Sequence, residues 1–441
     1  MALKGLDIFK LTPKTNCKDC GVPTCMAFAM KVAQGAVQIE ACPHMSAEAL
    51  ATLGEATAPP MKTIKIGAGD SELTLGGETV LYRHDKTFVS PTRYAVSVCP
   101  GCVDARLPKL QAIDYERIGE RMTVEIINVE YKGDKDKYVE LINKVKDSGR
   151  VLILECNDLD ATRAALEIVK DAKPVLNGAN ESNYEAMSAL AVEFGVTLGV
   201  RAADIDALYD TVQAIEALGN KELVLNASST SIKEAFADAV QIRRAALKDA
   251  DRSFGYPVIV DAAALAPNDT RMQTALSTLF TMKYGSIVIM DAMDYSQALP
   301  IYGLRQNIFT DPQKPMKVEP GIYALNGADE NAVCVTTVDF ALTYFVVSGE
   351  LERSGVPCNL LISDAGGYSV LTAWAAGKLS ASSVARFIKE ADIEGKIKNR
   401  TLIIPGKVAV LKGEMEEALQ GWNIVVAPNE AVALVKFMKE L

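Results

Sequence analysis

The sequence predicts an α/β protein with three parts: a small cysteine-rich domain, a central (β/α)8 TIM barrel and a C-terminal doubly wound, Rossmann-like domain. Four cysteines lie close together near the N-terminus, eight apolar strand-like runs alternate with helical segments, and a second, shorter alternation follows. The 441 residues are enough for two or three domains with substantial cores. The expected domains are residues 1–57, the barrel at 93–325 and the C-terminal domain at 326–441, with 58–92 as a linker that contains a β-hairpin.

Cys17, Cys20, Cys25 and Cys42 have the spacing C-x2-C-x4-C-x16-C, which favours a [4Fe–4S] cluster because each iron takes one sulfur ligand. The spacing matches neither of the common ferredoxin patterns. A structural zinc site is the alternative, but such sites usually show two C-x2-C pairs and this segment has one. The stretch that starts at Cys25 predicts a short helix ended by Gly35, which places the Cys25 thiolate at the positive end of the helix dipole.

The composition narrows the class of protein. The net charge is −10 with no basic block, which argues against a nucleic-acid partner, and no apolar run approaches the roughly 20 residues that cross a membrane. Nine cysteines without a disulfide-like framework, and a start that lacks a signal-peptide pattern, indicate the reducing cytoplasm. Only His44 and His84 are histidines, which argues against a Ser-His-Asp triad and excludes a His-rich metal centre. His44 either hydrogen-bonds a cluster sulfur or is a surface residue.

The segment after the cysteine domain is expected to be a linker at Ala58–Pro60, because its two prolines block helix continuation. Residues 61–92 alternate apolar and polar positions around Gly76-Gly77 and predict one or two β-hairpins. From Tyr94 onward, continuously apolar runs predict the strands of the barrel, with an open sheet covered on both faces as the alternative. These runs are YAVSV, TVEIINV, VLILE, PVLN, VTLGV, ELVLN, PVIVD and SIVIMD.

Many barrel strands end in a carboxamide or a carboxylate side chain. These residues are Asn128, Asn157, Asn177, Asn226, Asp261 and Asp291. Active sites of such barrels lie at the C-terminal strand ends, and a ring of these groups there has the chemistry to hydrogen-bond a pterin-like heterocycle. Capping of the following helices is the simpler interpretation and the one we favour, since Asn and Asp are good N-caps.

Five further cysteines lie outside the N-terminal motif. Cys99 and Cys102 form a C-x-x-C pair directly after the first barrel strand, where a redox or metal role competes with a structural one. Cys156, Cys334 and Cys358 lie in or beside apolar strands, so we expect them to be buried hydrophobic residues.

Residues 293–325 contain several prolines and little periodicity, which predicts a linker or lid. A new α/β unit begins after Asn331. Its strands are predicted at AVCVTTV, CNLLIS, VAVLK and NIVVAP, and its helices at residues 340–354, 369–377, 382–391, 415–419 and 431–441. Open α/β sheets bind ligands outside the carboxyl ends of their strands, which here carry the loops 336–339, 363–367, 405–407 and 428–430.

The loop 363–367 is the strongest ligand-binding candidate of this unit. Gly366 and Gly367 allow the backbone to approach a ligand, and the helix that follows offers free N–H donors. Neither GxGxxG nor GxxxxGK[ST] occurs, so the nucleotide motifs are missing. The apolar run 370–373 suits a broad, flat ligand; the alternative is an interaction domain whose glycines serve turns only.

The motifs CKDCGVPTC and CPHM, the barrel and the segment LLISDAGGYSVLTAW make the whole chain resemble the large (gamma) subunit of the corrinoid iron–sulfur protein of the reductive acetyl-CoA (Wood–Ljungdahl) pathway. The resemblance implies that the chain forms a heterodimer with a small subunit. The cobalamin of this heterodimer would accept a methyl group from methyltetrahydrofolate through a methyltransferase. It implies delivery of that methyl group to acetyl-CoA synthase with its carbon monoxide dehydrogenase partner. The [4Fe–4S] cluster, reduced by a low-potential donor such as ferredoxin, would reactivate Co(II) to Co(I).

The resemblance also implies where the corrinoid binds. Contacts are expected, from strand-end position, at Thr337, Phe340, Ser363, Gly366, Gly367, Val370, Leu371, Thr372 and Ala373. No histidine lies in the C-terminal domain, so the cobalt would be base-off with no protein ligand below it. The barrel would serve as scaffold and docking surface for the small subunit, and linkers at 58–60 and 312–320 would allow the domains to move.

Two other functions stay open on the sequence. A pterin-binding methyltransferase would use the barrel itself, and an iron–sulfur electron-transfer scaffold would carry a cluster without a corrinoid. The cysteine motif together with a histidine-free α/β domain favours the methyl carrier, because it accounts for both ends of the chain.

Overall fold

The computed structural model describes residues 5–33, 37, 39–46, 49–50, 59–311 and 316–441. The chain forms two compact units, Met1–Phe309 and Thr310–Leu441. The helix end expected at Gly35 and the linker positions Ala58, Pro312 and Pro315 lie outside the described residues. Within the described residues, no helix is both long enough and apolar enough to cross a membrane.

The N-terminal cysteine segment contains the helix that the sequence predicts and two further helical elements. Its elements are the helices Gly5–Leu11 and Cys25–Ala33 and the 3-10 turn Ile39–Ala41. The second helix begins at Cys25, which confirms that prediction. Apolar side chains from all three elements share one small core, which includes Ile8, Phe28, Ile39 and Cys42.

One hairpin precedes the barrel. Strand Thr63–Ile66 pairs antiparallel with Leu73–Gly76. Gly76 ends the second strand with φ +75°, and a Cβ there would lie 2.2 Å from the carbonyl oxygen of Lys62, so this position needs glycine. Residues 77–92 contain no strand.

Eight parallel strands form the predicted barrel. In sheet order they are Arg93–Val98, Ile126–Glu130, Val151–Glu155, Val175–Ala179, Thr197–Arg201, Leu223–Asn226, Ile259–Asp261 and Ile287–Met290. The last strand pairs with the first, and a bridge between Leu225 and Val258 joins the sixth to the seventh, so the ring is nearly closed. The strands are buried along almost their whole length, which explains why their sequences are continuously apolar.

Helices alternate with these strands. They are Val103–Gln111, Lys135–Val145, Leu159–Val169, Tyr184–Phe194, Ile205–Ala217, Ile232–Lys248, the short Ala262–Leu265, Thr270–Met282 and Tyr295–Ile308. A short antiparallel pair, Asp114–Arg117 with Glu120–Thr123, follows the first helix.

The prediction of a linker from residue 293 is wrong for helix Tyr295–Ile308. Asp294 and Gln297 form a capping box at its start, and Ile301 and Tyr302 are fully buried. Pro300 lies inside this helix, so the prolines of the segment were a misleading signal. The helix belongs to the barrel.

The second unit contains a five-stranded sheet in the order Gly321–Leu325, Cys358–Ser363, Val333–Val338, Thr401–Ile404 and Asn423–Val426. The first strand is antiparallel and the other four are parallel. Helices pack on both faces of the sheet, which separates two apolar cores. The helices are Ala341–Ser354, Val370–Ala375, Ala381–Glu390, Ile393–Lys396, Lys412–Ala418 and Leu434–Glu440.

Two expectations for this unit are corrected. The boundary at residue 325 is wrong, because Gly321–Leu325 pairs with Cys358–Ser363 in the second sheet. The strand predicted at VAVLK (408–412) is also wrong: Gly406–Leu411 is a 3-10 helix that leads into Lys412–Ala418. The strand is Thr401–Ile404, whose Leu402 lies opposite Cys334 in the buried centre of the sheet.

Candidate functional site

The loop before helix Cys25–Ala33 surrounds one predicted cluster ligand with polar contacts. The backbone N–H of Cys25 donates to Asn16 Oδ1 (2.8 Å), and the backbone N–H of Asn16 donates to Cys25 Sγ (3.4 Å). The Thr24 hydroxyl accepts from the N–H of Ala27 (3.1 Å) and so caps the helix. An N–H donor on the sulfur, at the positive end of a helix, suits the negative charge of a sulfur that ligates a metal.

The same loop has an unusual backbone. Lys14, Asn16 and Lys18 have φ of 58°, 51° and 70°, and Gly21 follows with 74°. Left-handed residues that alternate with ordinary ones turn backbone N–H groups toward a common side, which forms concavities for anions. Such strained positions cluster at functional sites.

The four predicted ligands differ in exposure. Cys25 and Cys42 are buried, Cys20 is partly exposed and Cys17 is exposed, and all four are free thiols. One sulfur per iron is what a [4Fe–4S] cluster requires, so this donor set fits such a cluster.

His44 lies beside one of these ligands. Its Nε2 is 2.6 Å from Asp19 Oδ2, and both groups lie within 4.8 Å of the Cys17 sulfur. The hydrogen bond with His44, followed by one with Cys17, lowers the pKa of the Asp19 carboxyl. The hydrogen-bond partner of His44 is therefore a carboxylate of the cysteine loop.

A second candidate site lies at the carboxyl end of the C-terminal sheet. Strands Val333–Val338 and Thr401–Ile404 are neighbours, but the chain leaves them toward opposite edges of the sheet. Open α/β sheets bind ligands at such a switch point. A cavity of about 340 Å³ opens there.

Three of the nine predicted contact residues, Thr337, Val370 and Leu371, line this cavity. The other six do not: Phe340, Ser363, Gly366, Gly367, Thr372 and Ala373. The strand-end loops predicted at 405–407 and 428–430 line the cavity as well, within the stretches 404–407 and 427–431. Sequence reasoning missed the helix side chains of the lining, which include Leu342, Thr343, Val346, Val347 and Leu434.

The character of this cavity is apolar, with one orphaned hydroxyl. Thr337 is 2% exposed, and its Oγ1 is without a hydrogen-bond partner among the described residues, although buried hydroxyls are normally paired. Around the opening, Leu342, Val346 and Leu371 are 62%, 47% and 47% exposed. This lining fits a large, flat, mostly apolar ligand such as a corrin better than it fits a nucleotide.

Loop 363–367, called the glycine loop below, lies beside the cavity and is held in place by a buried carboxylate. Asp339 is completely buried and accepts from the backbone N–H of Ala365 (3.0 Å) and of Gly367 (3.0 and 3.1 Å). Gly366 and Gly367 have φ of 70° and 76°, which only glycine adopts at low cost. Asp339 thus sets the conformation of the loop.

The capping interpretation of the strand-end residues in the barrel is wrong for five of the six. Asp261 caps a helix, accepting from the N–H of Ala264 (2.9 Å). The other caps lie farther along the loops, at Asp134, Asp158, Asp204, Ser231, Asp269 and Asp294. Five strand-end residues therefore do not cap helices, because the N-cap of the following helix is a later residue in each case; they are Asn128, Asn157, Asn177, Asn226 and Asp291.

Burial raises the thiol pKa of four of the five remaining cysteines, which disfavours the reactive thiolate; these are Cys102, Cys156, Cys334 and Cys358. The backbone N–H of Cys99 donates to Cys102 Sγ (2.9 Å), and burial is the main cause that raises the pKa of Cys102 to about 11. Burial also raises the pKa of Cys334 to about 12 and of Cys358 to about 11. Cys156, Cys334 and Cys358 are buried, which confirms that prediction.

Comparison with known proteins identifies the family. The family model of the CO dehydrogenase/acetyl-CoA synthase delta subunit matches residues 63–438, and a model for a putative Fe–S cluster matches residues 13–44. The chain is 38% identical to the corrinoid/iron–sulfur protein large subunit of Moorella thermoacetica, over 100% of this chain and 99% of that protein. This chain belongs to the family of corrinoid/iron–sulfur protein large subunits.

Archaeal proteins of the same family are also similar over their full length. The gamma subunit of the acetyl-CoA decarbonylase/synthase complex of Methanopyrus kandleri is 32% identical, over 99% of this chain and 98% of that protein. The corresponding subunit of Archaeoglobus fulgidus is 32% identical, over 97% and 96%. Family membership assigns the chain to acetyl-CoA metabolism, and the match at 13–44 covers all four cysteines of the N-terminal motif.

Proposed function

We propose that this chain is the large subunit of a methyl carrier in acetyl-CoA synthesis, which holds a [4Fe–4S] cluster and shares a corrinoid with a small subunit. One observation carries the proposal: four free cysteines around a helix start and an apolar cavity at a sheet switch point occur in one chain. The full-length similarity to a corrinoid/iron–sulfur protein large subunit supports it.

The cluster would be held by Cys17, Cys20, Cys25 and Cys42. The N–H of Asn16 and the start of helix Cys25–Ala33 would offset part of the negative charge of the sulfurs. In this proposal, residues 1–57 form the cluster domain.

The corrinoid would lie over the cavity of the second unit, against Thr337, Val370 and Leu371, with the glycine loop that Asp339 holds beside it. When bound, its cobalt would accept and release the methyl group, and the cluster would supply the electron that keeps the cobalt able to accept one. The only histidines are His44 and His84, so residues 310–441 offer no imidazole as a lower ligand. In this proposal the corrinoid would be bound base-off, and no histidine of residues 310–441 would replace its own base.

The partners follow from this role. The exposed Leu342, Val346 and Leu371 would be covered by the corrin and the small subunit, since apolar patches of this kind mark binding surfaces. A methyltetrahydrofolate-dependent methyltransferase would donate the methyl group, and acetyl-CoA synthase with carbon monoxide dehydrogenase would receive it. A ferredoxin-like protein would reduce the cluster.

The proposal is tested on the chain co-purified anaerobically with its small subunit, by visible spectroscopy and metal analysis. We expect about four irons and one cobalt per heterodimer, given one four-iron cluster. Cys20→Ala should lose the cluster and block reductive reactivation, while methyl transfer from already reduced cobalt continues. Cys99→Ala is the matched control, because Cys99 is a partly exposed cysteine outside the motif. This variant should keep both reductive reactivation and methyl transfer.

Other outcomes would contradict the proposal. Four irons without cobalt would leave an iron–sulfur scaffold. Loss of methyl transfer from reduced cobalt in a folded Cys20→Ala variant would contradict the role given to the cluster.

A further inference from the structure

Cys99 and Cys102, at the junction between the first barrel strand and its helix, have no role in the proposed methyl carrier. Strand Arg93–Val98 ends directly before Cys99, and Cys102 is the N-cap residue of helix Val103–Gln111. Neither cysteine belongs to the apolar core of the barrel, whereas Cys156 does. Both are partly exposed, so core packing does not account for the pair.

The backbone holds the two cysteines in one tight turn. The carbonyl oxygen of Cys99 accepts from the backbone N–H groups of Cys102 and Val103, both at 3.0 Å. The first and last residues of such a turn have Cα atoms less than about 7 Å apart, and a disulfide needs about 4.4–6.8 Å. The turn therefore holds the two residues at a separation that a disulfide can bridge.

The two side chains also meet. The Cys102 side chain makes no capping hydrogen bond to its own helix, and its Sγ accepts instead from the backbone N–H of Cys99 (2.9 Å). Burial is the largest cause that raises the pKa of Cys102, and a hydrogen bond with the Cys99 side chain is the next. The sulfur of Cys102 is thus turned toward Cys99.

Two cations lie close to these sulfurs. The charge of Arg106, one turn into the helix, opposes the effect of burial on the pKa of Cys102. Lys132 pairs with Glu130 (2.9 Å), which is the main cause that raises the pKa of Lys132, and the charges of Cys99 and Cys102 add to it. Neighbouring cations of this kind stabilise a thiolate when one forms.

The turn is accessible and lacks the further ligands of a metal site. Gly101 is exposed, and no atom lies within 4 Å of the position that its Cβ would take. Among the described residues, the only group of three His, Cys, Asp or Glu side chains close enough to share a metal is Cys17, Asp19 and His44. The pair at 99–102 therefore suits thiol–disulfide chemistry better than metal binding.

We propose that Cys99 and Cys102 form a reversible thiol–disulfide redox site that exchanges with small external disulfides. The Cys99 thiolate attacks one sulfur of the external disulfide, whose S–S bond breaks, so that a mixed disulfide forms on Cys99 and one thiolate leaves. Cys102 then attacks the Cys99 sulfur, and the second thiolate leaves. Each leaving thiolate takes up the proton of the cysteine that displaced it. The two cysteines lose two electrons, and the external disulfide is reduced to two thiols.

The order of the two steps follows from the surroundings of Cys102. Burial disfavours its thiolate, so it reacts second, when the mixed disulfide holds an electrophilic sulfur next to it. The site is separate from the proposed cluster. Both residues are thiols under the reducing conditions of methyl transfer, so Cys99→Ala remains a control for the cluster variant.

The test is mass spectrometry of the chain co-purified anaerobically with its small subunit and equilibrated with mixtures of reduced and oxidised glutathione. After acid quenching and alkylation of free thiols, trypsin releases residues 94–106, which contain both cysteines of the pair and no other cysteine. As the share of oxidised glutathione rises, we expect this peptide to change from doubly alkylated to an unalkylated form that is lighter by two hydrogens. Oxidation should be favoured about tenfold or more over that of a synthetic peptide of the same sequence, which lacks the preformed turn.

Two variants separate the steps. Cys102→Ser should trap Cys99 as a mixed disulfide with glutathione, because the second step is blocked. Cys99→Ser should react about tenfold or more slowly, because burial disfavours the thiolate of Cys102. The tryptic peptide of residues 151–163 is the matched internal control, since its single cysteine, Cys156, is buried and should stay reduced.

The proposal would be overturned if residues 94–106 stayed doubly alkylated in every glutathione mixture, or if each cysteine carried glutathione without an internal disulfide. Oxidation no more favourable than that of the synthetic peptide would also overturn it, because the fold would then contribute nothing. Far-UV circular dichroism shows which variants fold; if one does not, the unsubstituted chain decides. The readout is a peptide mass that requires neither cluster nor corrinoid, so its failure would leave the methyl-carrier proposal standing.

Discussion

Replacing Asp339 with alanine is the most direct test of how the glycine loop at the C-terminal site is held. The carboxylate is completely buried and accepts backbone N–H groups from Ala365 and Gly367 at 3.0–3.1 Å. Asp339→Ala would leave these two N–H groups buried without an acceptor. We expect the variant to unfold its second unit more easily and to retain less corrinoid.

The magnitude follows from the two hydrogen bonds. A hydrogen bond to a charged group contributes about 1.5–3 kcal/mol, so the loss of both should lower the free energy of unfolding by about 3–6 kcal/mol. That is a large fraction of the about 5–15 kcal/mol that stabilises a typical domain. Asp364→Ala is the matched control: Asp364 lies in the same loop and accepts from the N–H of Gly366 (2.9 Å), but its side chain is 66% exposed. Its effect should stay within about 1 kcal/mol.

The assay is urea unfolding of the full chain, followed by tryptophan fluorescence. Trp374 and Trp422 are the only tryptophans of the chain, and both lie in the second unit, so the signal reports on that unit alone. The reasoning would be refuted if Asp339→Ala and Asp364→Ala had the same unfolding midpoint. It would also be refuted if Asp339→Ala kept its full corrinoid content while its stability fell as expected.

Two further predictions concern Gly406, in the wall of the C-terminal cavity, and Asp261, at the end of a barrel strand. A Cβ on Gly406 would lie 2.3 Å from the carbonyl oxygen of Ala427, which is too close for an unstrained contact. Gly406→Ala should therefore lower both the unfolding midpoint of the second unit and its corrinoid content. Gly413 has open space around its Cβ position, so Gly413→Ala is the control and should change neither quantity. Because the pKa of Asp261 is raised, mainly by burial, the stability that it contributes is complete below its ordinary value of 3.8 and is lost as the pH rises through its folded-state value. Asp261→Asn should therefore gain stability relative to the unsubstituted chain as the pH rises, measured by urea unfolding with far-UV circular dichroism; parallel pH profiles would contradict this.

The barrel was predictable because the apolar pattern of each strand can be recognised within its own segment of sequence. Parallel strands buried on both faces must be apolar at every position, and the eight runs that meet this condition are the eight strands of the ring. The start of the helix at Cys25 was also predictable from the segment itself.

Errors arose where one local signal was outweighed by another local signal or by tertiary contacts. Pro300 suggested a linker, yet the capping box at Asp294 and the burial of Ile301 and Tyr302 stabilise a helix around it. The run VAVLK has the composition of a strand, but the position in the sheet is taken by Thr401–Ile404, which pairs with strands on both sides.

By itself, the sequence determined the number and order of the barrel strands, the four cysteines in ligand spacing and the absence of histidine from the C-terminal domain. These are properties of composition and periodicity, which do not depend on how distant segments meet. Only the tertiary structure decided which side chains meet at a cavity. Thr337 and Leu342 line the cavity at the end of the C-terminal sheet, and Asn226 and Asp261 line a cavity at the mouth of the barrel. Side chains from different strands and helices converge there, and no spacing along the chain encodes that convergence.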